Sequence, residues 1–176
     1  GVRAVALESY AGRARPWDGG LLVLEAVRGA PRFTAQRSVV APDPFPGIAG
    51  THPVIVEMKR QAARVARAAA PVLLLGETGV GKTLWARSIH QASASASGPW
   101  VVVNCAQLSH ELAASELFGE ECGAFMGTVA SSRAGKFELA DGGSLLLTDF
   151  SELPLEVQAG VLRVAQKNVL VRVGSH

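Results

Sequence analysis

The sequence predicts an α/β fold, a parallel sheet with helices on both faces, and three observations carry that prediction. Short runs that are almost wholly apolar, VLLL (72–75), WVVVN (100–104) and SLLLT (144–148), alternate with stretches of helical periodicity. Strands buried on both faces read as continuous apolar runs, and alternation with helices is the pattern of crossover connections between parallel strands. The composition, 48% hydrophobic and 18% charged in 176 residues, supports one domain with a sizeable core and a short appendage.

Taken in order, residues 1–41 hold two strand-like stretches, VRAVALESY and LLVLEAV, joined by the turn-like RPWDGG. Two or three strands cannot bury a core alone, so this β-rich appendage is expected to be the tail of another, N-terminal regulatory domain. APDPFPG (41–47) packs three prolines into seven positions, which is linker chemistry, and the expected linker runs over residues 42–50. From Thr51 the pattern turns helical: Thr51 can cap, Pro53 suits a first turn, and apolar residues recur at Val54, Met58, Ala62, Val65 and Ala69. After VLLL come a glycine-rich turn and the helical KTLWARSIHQAS. A Ser/Gly/Pro loop then leads to WVVVN. A helix is expected from about Ala106 to Leu117, a Gly-rich loop over 119–135, the strand SLLLT, and a last helix beginning at Pro154.

Charge and cysteine content exclude several classes. The net charge of +2 is too small to argue for nucleic acid. Up to Arg67 there are ten Lys/Arg against five Asp/Glu, and from Ala68 seven against ten, a scatter that reads as solvated surface. Cys105 and Cys122 make neither a disulfide framework nor a metal cluster. His90 and His110 have no second ligand at metal spacing. No apolar run approaches the ~20 residues of a membrane span, and the N-terminus lacks the apolar core of a signal peptide. A cytoplasmic chain is expected. It begins with Gly, from which a piece of something longer is expected.

The chemistry concentrates in GETGVGKT, residues 76–83, which fits G-x-x-x-x-G-K-[ST] between an apolar strand and a helix, as that motif requires. Gly76, Glu77, Thr78, Gly79, Val80 and Gly81 form the loop. Glycines let the backbone N–H groups from Gly79 to Lys82 turn inward around a β-phosphate, and the helix N-terminus adds positive potential. Lys82 would reach the β/γ oxygens as a point charge, and Thr83 would offer a hydroxyl to Mg²⁺. The cofactors expected are therefore ATP and Mg²⁺. Trp85, on the following helix, reads as core packing or as an adenine-side contact. Glu116 and Arg163 read as surface charges on helices.

Around that loop, LLLGETGVGKTLWARSIHQAS, VVVNCAQL, SELFGEECGAFMGT, GKFELADGGSLLLTDF and LPLEVQAGVLRVAQ occur in the order found in one family. The chain resembles the AAA+ ATPase domain of bacterial sigma-54-dependent transcriptional activators, from about Phe45 to His176, roughly three quarters of its length. The resemblance implies a P-loop αβα fold over residues 51–176 and a ring-forming ATPase that remodels RNA polymerase holoenzyme carrying sigma-54. The family's sigma-contact loop, GAFTGA, reads here Gly123-Ala124-Phe125-Met126-Gly127-Thr128. Glycines flank a large aromatic and a Met, soft contact residues suited to a mobile tip. A tucked-in hydrophobic loop is the other reading.

In the family the third strand ends Asp-Glu, the Asp holding Mg²⁺ and its water and the Glu polarising the attacking water. Aligned on DGG, Thr148 takes the first position and Asp149 the second. Thr148 brings no charge to the metal, and Asp149 is one methylene short, an error of ~1 Å that can cost ~100-fold. Slid by one residue, Asp149 would serve the metal and Phe150 would stand where the base belongs, a loss of about 10²–10⁴. Asn104 matches a family residue that couples the catalytic Glu to the contact loop; it reads equally as an ordinary strand-end amide.

The resemblance also implies a further strand with a polar sensor, then arginine fingers and a helical lid, where this chain ends at VLVRVGSH. That strand would lie between the phosphate-loop strand and SLLLT, so the sheet is expected to be incomplete, with a gap between two apolar strands. The family's DNA-binding helix-turn-helix has no counterpart, so no direct DNA binding is expected, and a homo-oligomeric ring only if the domain is completed. The expected function is an ATP-binding module of a sigma-54-dependent regulator with weak or lost hydrolysis. The alternative is a catalytically silent interaction protein that binds sigma-54 or a homologous activator ring. For residues 1–41, WDGGLLVLEAV is a loose match to a forkhead-associated β-sandwich.

Overall fold

The computed structural model describes residues 3–9, 22–25, 43–68, 70–121 and 132–175. Its strands are β1 (Arg3–Ser9), β2 (Leu22–Glu25), β3 (Val72–Gly76), β4 (Trp100–Asn104) and β5 (Ser144–Thr148). Its helices are α1 (Pro53–Arg67), α2 (Lys82–Gln91), α3 (Ala113–Phe118), α4 (Lys136–Leu139) and α5 (Leu155–Lys167). The strands form one five-stranded sheet in the order β2-β3-β1-β5-β4, with every neighbouring pair parallel.

The apolar runs do what their patterning requires. Successive side chains of a strand face opposite sides of its sheet. Leu146 accordingly joins Val72, Leu74, Trp85 and Ile89 on the α1/α2 face, while Leu145 and Leu147 join Leu117, Phe137 and Val157 on the other. All three leucines of β5 are fully buried, between two separate core clusters. The three-layer αβα arrangement follows directly.

Four expectations are refined. First, the position expected to be open between β3 and β5 holds β1. Val5 lies level with Val72 and Leu146, and Leu7 with Leu74 and Thr148. The extended AVAL run at residues 4–7 satisfies two rows of backbone groups that would otherwise lack partners. β2 covers the outer edge of β3, so both strand-like stretches of residues 1–41 belong to this sheet. Second, the proline-rich stretch expected as a linker is docked where it is described. Phe45 is 1% exposed, with its ring centroid 6.0 Å from that of Trp85. Asp43 accepts from the Phe45 amide at 2.9 Å and from Lys59 Nζ at 2.6 Å.

Third, α1 is capped by His52 rather than Thr51, the His52 Nδ1 accepting from the Val54 amide at 3.3 Å. Fourth, the helix expected from Ala106 to Leu117 is split. The Asn104 side chain accepts from the Ala106 amide at 3.0 Å and caps a 3-10 turn, Cys105–Gln107. Ser109 Oγ accepts from the Leu112 amide at 3.3 Å ahead of α3. Short polar side chains that bond their own backbone compete with a continuous helix in this way.

In a strand paired on both sides every N–H lies in a ladder, so Ala6→Pro removes one ladder bond and leaves its acceptor unpaired, which should cost about 1–3 kcal/mol. Urea unfolding of the variant beside the parent chain checks this; an unchanged midpoint would show that β1 does not hold the sheet together.

Candidate nucleotide site

The site is built where β3 turns into α2. The loop between them needs left-handed backbone at Gly79 (φ 86°) and at Gly81 (φ 89°), the N-cap of α2. This conformation is costly for any residue with a Cβ. The turn leaves the first amides of α2 without intrahelical partners and directed at the loop's concavity, an anion-binding arrangement. Lys82 folds back across the loop, its Nζ donating to the carbonyls of Gly76 and Glu77, both at 2.9 Å. The ammonium is thereby held at the loop by the backbone that a phosphate would approach.

Two cavities meet at Lys82. One, of about 400 Å³, brings Thr78, Gly79, Gly81, Lys82 and Thr83 together with Thr148 and Asp149 from the end of β5. The other, of about 220 Å³, lies between α1 and the sheet and is lined by Ile55, Met58, Leu74, Leu75, Val80 and Trp85 as well as Lys82. A polar, phosphate-sized cavity adjoining an apolar slot matches a nucleotide's two halves. Of the loop residues singled out in the sequence, Val80 faces the apolar slot rather than the polar cavity. Gly76 and Glu77 contribute carbonyls to Lys82. Ile55 and Met58 appear in the sequence only as the apolar stripe of a helix, and nothing in that stripe distinguishes a slot lining from a core contact. Trp85 is both buried core and slot wall.

Thr148 and Asp149 do reach the phosphate loop. Asp149 adopts φ 52°, ψ 45°, a left-handed conformation that Asp tolerates better than most residues. Its carbonyl accepts from the Glu152 amide at 3.0 Å, which starts the turn Phe150–Glu152. Burial, and next the charge of Asp149, push the Cys105 thiol up to about 11, so Cys105 stays protonated and inert at neutral pH. Asn104 stands opposite Thr148 across the β4–β5 pair, with its side-chain oxygen engaged as the cap already described. Among the described residues no group of three or more His, Cys, Asp or Glu could hold a metal ion. A Mg²⁺ carried in on phosphates needs less: the hydroxyl of Thr83 and the carboxylate of Asp149 are hard oxygen donors in one cavity, and Mg²⁺ takes one or two carboxylates beside substrate phosphates. His90 is buried, its Nδ1 2.9 Å from Ser144 Oγ and its ring beside Trp100.

Residues 123–128 lie outside the described residues, but both flanks of that loop are described. Glu120 pairs antiparallel with Arg133 and parallel with Val173. The Val173 amide donates to the Gly119 carbonyl at 2.9 Å, and the Glu121 amide to the Val173 carbonyl at 3.1 Å. Glu116, read in the sequence as a surface charge, ion-pairs with Arg133 at 2.8 Å. Arg172 grips Glu138 with two donors, Nε at 2.9 Å and Nη2 at 2.6 Å, and reaches Glu121 at 3.5 Å. The segment after α5 thus clamps the flank that precedes the loop, and through Glu138 the helix that comes after the flank that follows it. Sequence reasoning missed this clamp, since nothing local pairs residues 34 positions apart.

The family model of the sigma-54 interaction domain matches residues 48–176. The Nif-specific regulatory protein of Rhodobacter capsulatus is 49% identical over 141 residues, covering 80% of this chain and 24% of that protein. The nitric oxide reductase transcription regulator NorR2 of Cupriavidus necator is 43% identical over 161 residues, covering 90% of this chain and 30% of that protein. Among solved structures, NtrX from Brucella abortus in complex with ATP matches with a TM-score of 0.62 at 34% identity, covering 73% of this chain and 27% of that one. The chain thus spans between about a quarter and a third of the length of these relatives.

The clamp makes a pH prediction. The Arg172 guanidinium holds the Glu138 carboxyl below the usual carboxylate range against the opposing effect of burial, with the Gly135 amide adding a smaller push in the same direction as Arg172. A depressed carboxylate contributes stability above its unfolded-state value, and that contribution is lost as pH falls through the folded value. Melting temperatures followed downward from neutral pH should therefore converge for the parent chain and Arg172→Ala once Glu138 is protonated. The parent should be the more stable only at the neutral end.

Proposed function

Since this chain belongs to the sigma-54 interaction domain family, we propose that it is the ATP-binding module of a sigma-54-dependent transcriptional regulator, binding Mg·ATP and hydrolysing it weakly. One observation carries the reading: a phosphate-loop cavity and an apolar slot that share Lys82, with Thr148 and Asp149 facing the loop. The amides from Gly79 to Thr83 would hold the phosphates, Lys82 would supply its charge to them from its place at the loop, and the slot beside Met58 and Val80 would take the base. Bound Mg²⁺ would neutralise charge on the β- and γ-phosphates; Thr83 and Asp149 are the residues to hold it. With Asp149 committed to the metal, no second carboxylate of β5 is left to orient a water. Thr148 can only hydrogen-bond, which is the reason for slow turnover.

The partner proposed is sigma-54 in its RNA polymerase holoenzyme, met through residues 123–128. The pairing of the two flanks at Glu120–Arg133, with the first held also by Val173, supports this, because a contact loop must be anchored to transmit force.

Thermal unfolding with Mg·ATP, run beside Lys82→Ala and with phosphate release followed in the same samples, tests the reading. At a hundred times Kd, binding should stabilise the parent by about 2.7 kcal/mol. Lys82→Ala should abolish the shift, and absence of any shift in the parent would sink the proposal. The double variant Thr148→Asp/Asp149→Glu should raise phosphate release by roughly 10² or more if the acids of β5 limit turnover. Rapid Lys82-dependent release from the parent would refute weak hydrolysis.

A further inference from the structure

The apolar slot leans on a segment that the phosphate chemistry does not use. Asp43–Gly50 leads into α1 and is held at three points. Asp43 is a latch: one carboxylate oxygen accepts from the Phe45 amide at 2.9 Å, the other from Lys59 Nζ on α1 at 2.6 Å. The Phe45 carbonyl accepts from the Ile48 amide at 3.0 Å, a turn whose two apolar side chains both enter the core. Gly50, at φ 130°, comes so close to α1 that an added Cβ would lie 3.4 Å from the Ile55 side chain.

Each of these attachments falls at a wall of the slot. Phe45, 1% exposed, packs its ring against that of Trp85 at an interplanar angle of 52°. Trp85 and Ile55 line the slot, and so does Met58, the neighbour of Lys59 on α1. Phe45 stands one layer back, in contact with the slot's wall rather than with the slot. Aromatic pairs have preferred geometries, so the Phe45 ring fixes the orientation of the indole as well as its place. Truncating that ring leaves a void into which the indole can shift.

We propose that Phe45 is a positioning residue for the base half of the nucleotide site: docked by the Asp43 latch, it holds Trp85 and so sets the shape of the slot. The inference rests on the Mg·ATP reading above, and its test separates the two. Undocking of residues 43–50 from α1 withdraws Phe45 from Trp85 and lowers affinity for the base, while the phosphate loop keeps its own contacts.

The probes are Mg·ATP, which carries a base, and Mg·tripolyphosphate, which does not. Their affinities come from thermal-shift titrations of the parent, Phe45→Leu and Asp43→Ala. The ratio of the two affinities isolates the base half, and general loosening of the fold does not move it. It should fall about three- to tenfold in Phe45→Leu, the size of one aromatic pair contact. In Asp43→Ala it should fall less, and tripolyphosphate affinity should hold in both variants. A parent that binds the two probes alike, or an unchanged ratio in Phe45→Leu, overturns the proposal and leaves phosphate binding standing. If Phe45→Leu does not melt cooperatively, the ratio in Asp43→Ala decides in its place. Equal loss of both affinities, or failure of both variants to melt cooperatively, makes the segment a support of the fold alone and overturns the proposal too. No shift in the parent with either probe rejects the underlying nucleotide reading instead.

Discussion

The rest of the molecule depends on the pairing of β1 between β3 and β5. Those two strands carry the halves of the site, the phosphate loop on one and Thr148–Asp149 on the other. Neighbouring strands stand about 4.8 Å apart, so one intervening strand sets the two halves roughly 10 Å from each other. Without that strand, two apolar edges would be left with unpaired N–H and C=O groups, and either the edges would collapse together or the site would lose its width. Parallel pairing from Arg3 to Ser9 satisfies both edges at once.

Once that spacing is set, the local chemistry of the site is cheap to organise. Left-handed glycines turn the loop, and the helix that follows presents its open amides. Lys82 waits on two backbone carbonyls, partners that hold its charge at the loop until a stronger anionic partner arrives. The apolar slot needs no dedicated element, because α1 leans on β3 as part of the core and leaves room beside Met58 and Trp85. Asp149 combines two demands in one residue: it must break the strand with a left-handed turn and still present a carboxylate to the loop. That double duty suits Asp, whose short polar side chain tolerates the left-handed region, better than Glu.

A second structural unit hangs from the first. The two described flanks, residues 119–121 and 132–135, are tied to each other at Glu120–Arg133, and the first of them to the segment after α5 at Val173. Arg172 binds Glu138, at the end of α4, and α4 leads through the tight turn at Asp141–Gly143 into β5. A chain of direct contacts therefore runs from the strand that carries Thr148–Asp149 to the flanks of the loop, through hydrogen bonds of defined geometry. Paired guanidinium–carboxylate contacts fix direction as well as distance, which is what a mechanical linkage needs.

The three apolar strands β3, β4 and β5, the phosphate loop and the start of α5 were legible in the sequence, because each is specified by its own residues. A short apolar run bounded by turn residues and rich in branched side chains favours a strand, and GETGVGKT between such a run and a helical stretch favours a strand-to-helix turn. The two N-terminal stretches were legible as strands for the same reason, but not their place in the sheet. Sequence alone determined the apolar strands and the glycine-rich turn with its lysine between β3 and α2. Tertiary structure alone decided that Arg3–Ser9 pairs between β3 and β5, that Phe45 is core and not linker, and that Arg172 holds Glu138. Register and ion pairing between remote residues depend on which surfaces meet once the chain has closed, and no local pattern encodes that.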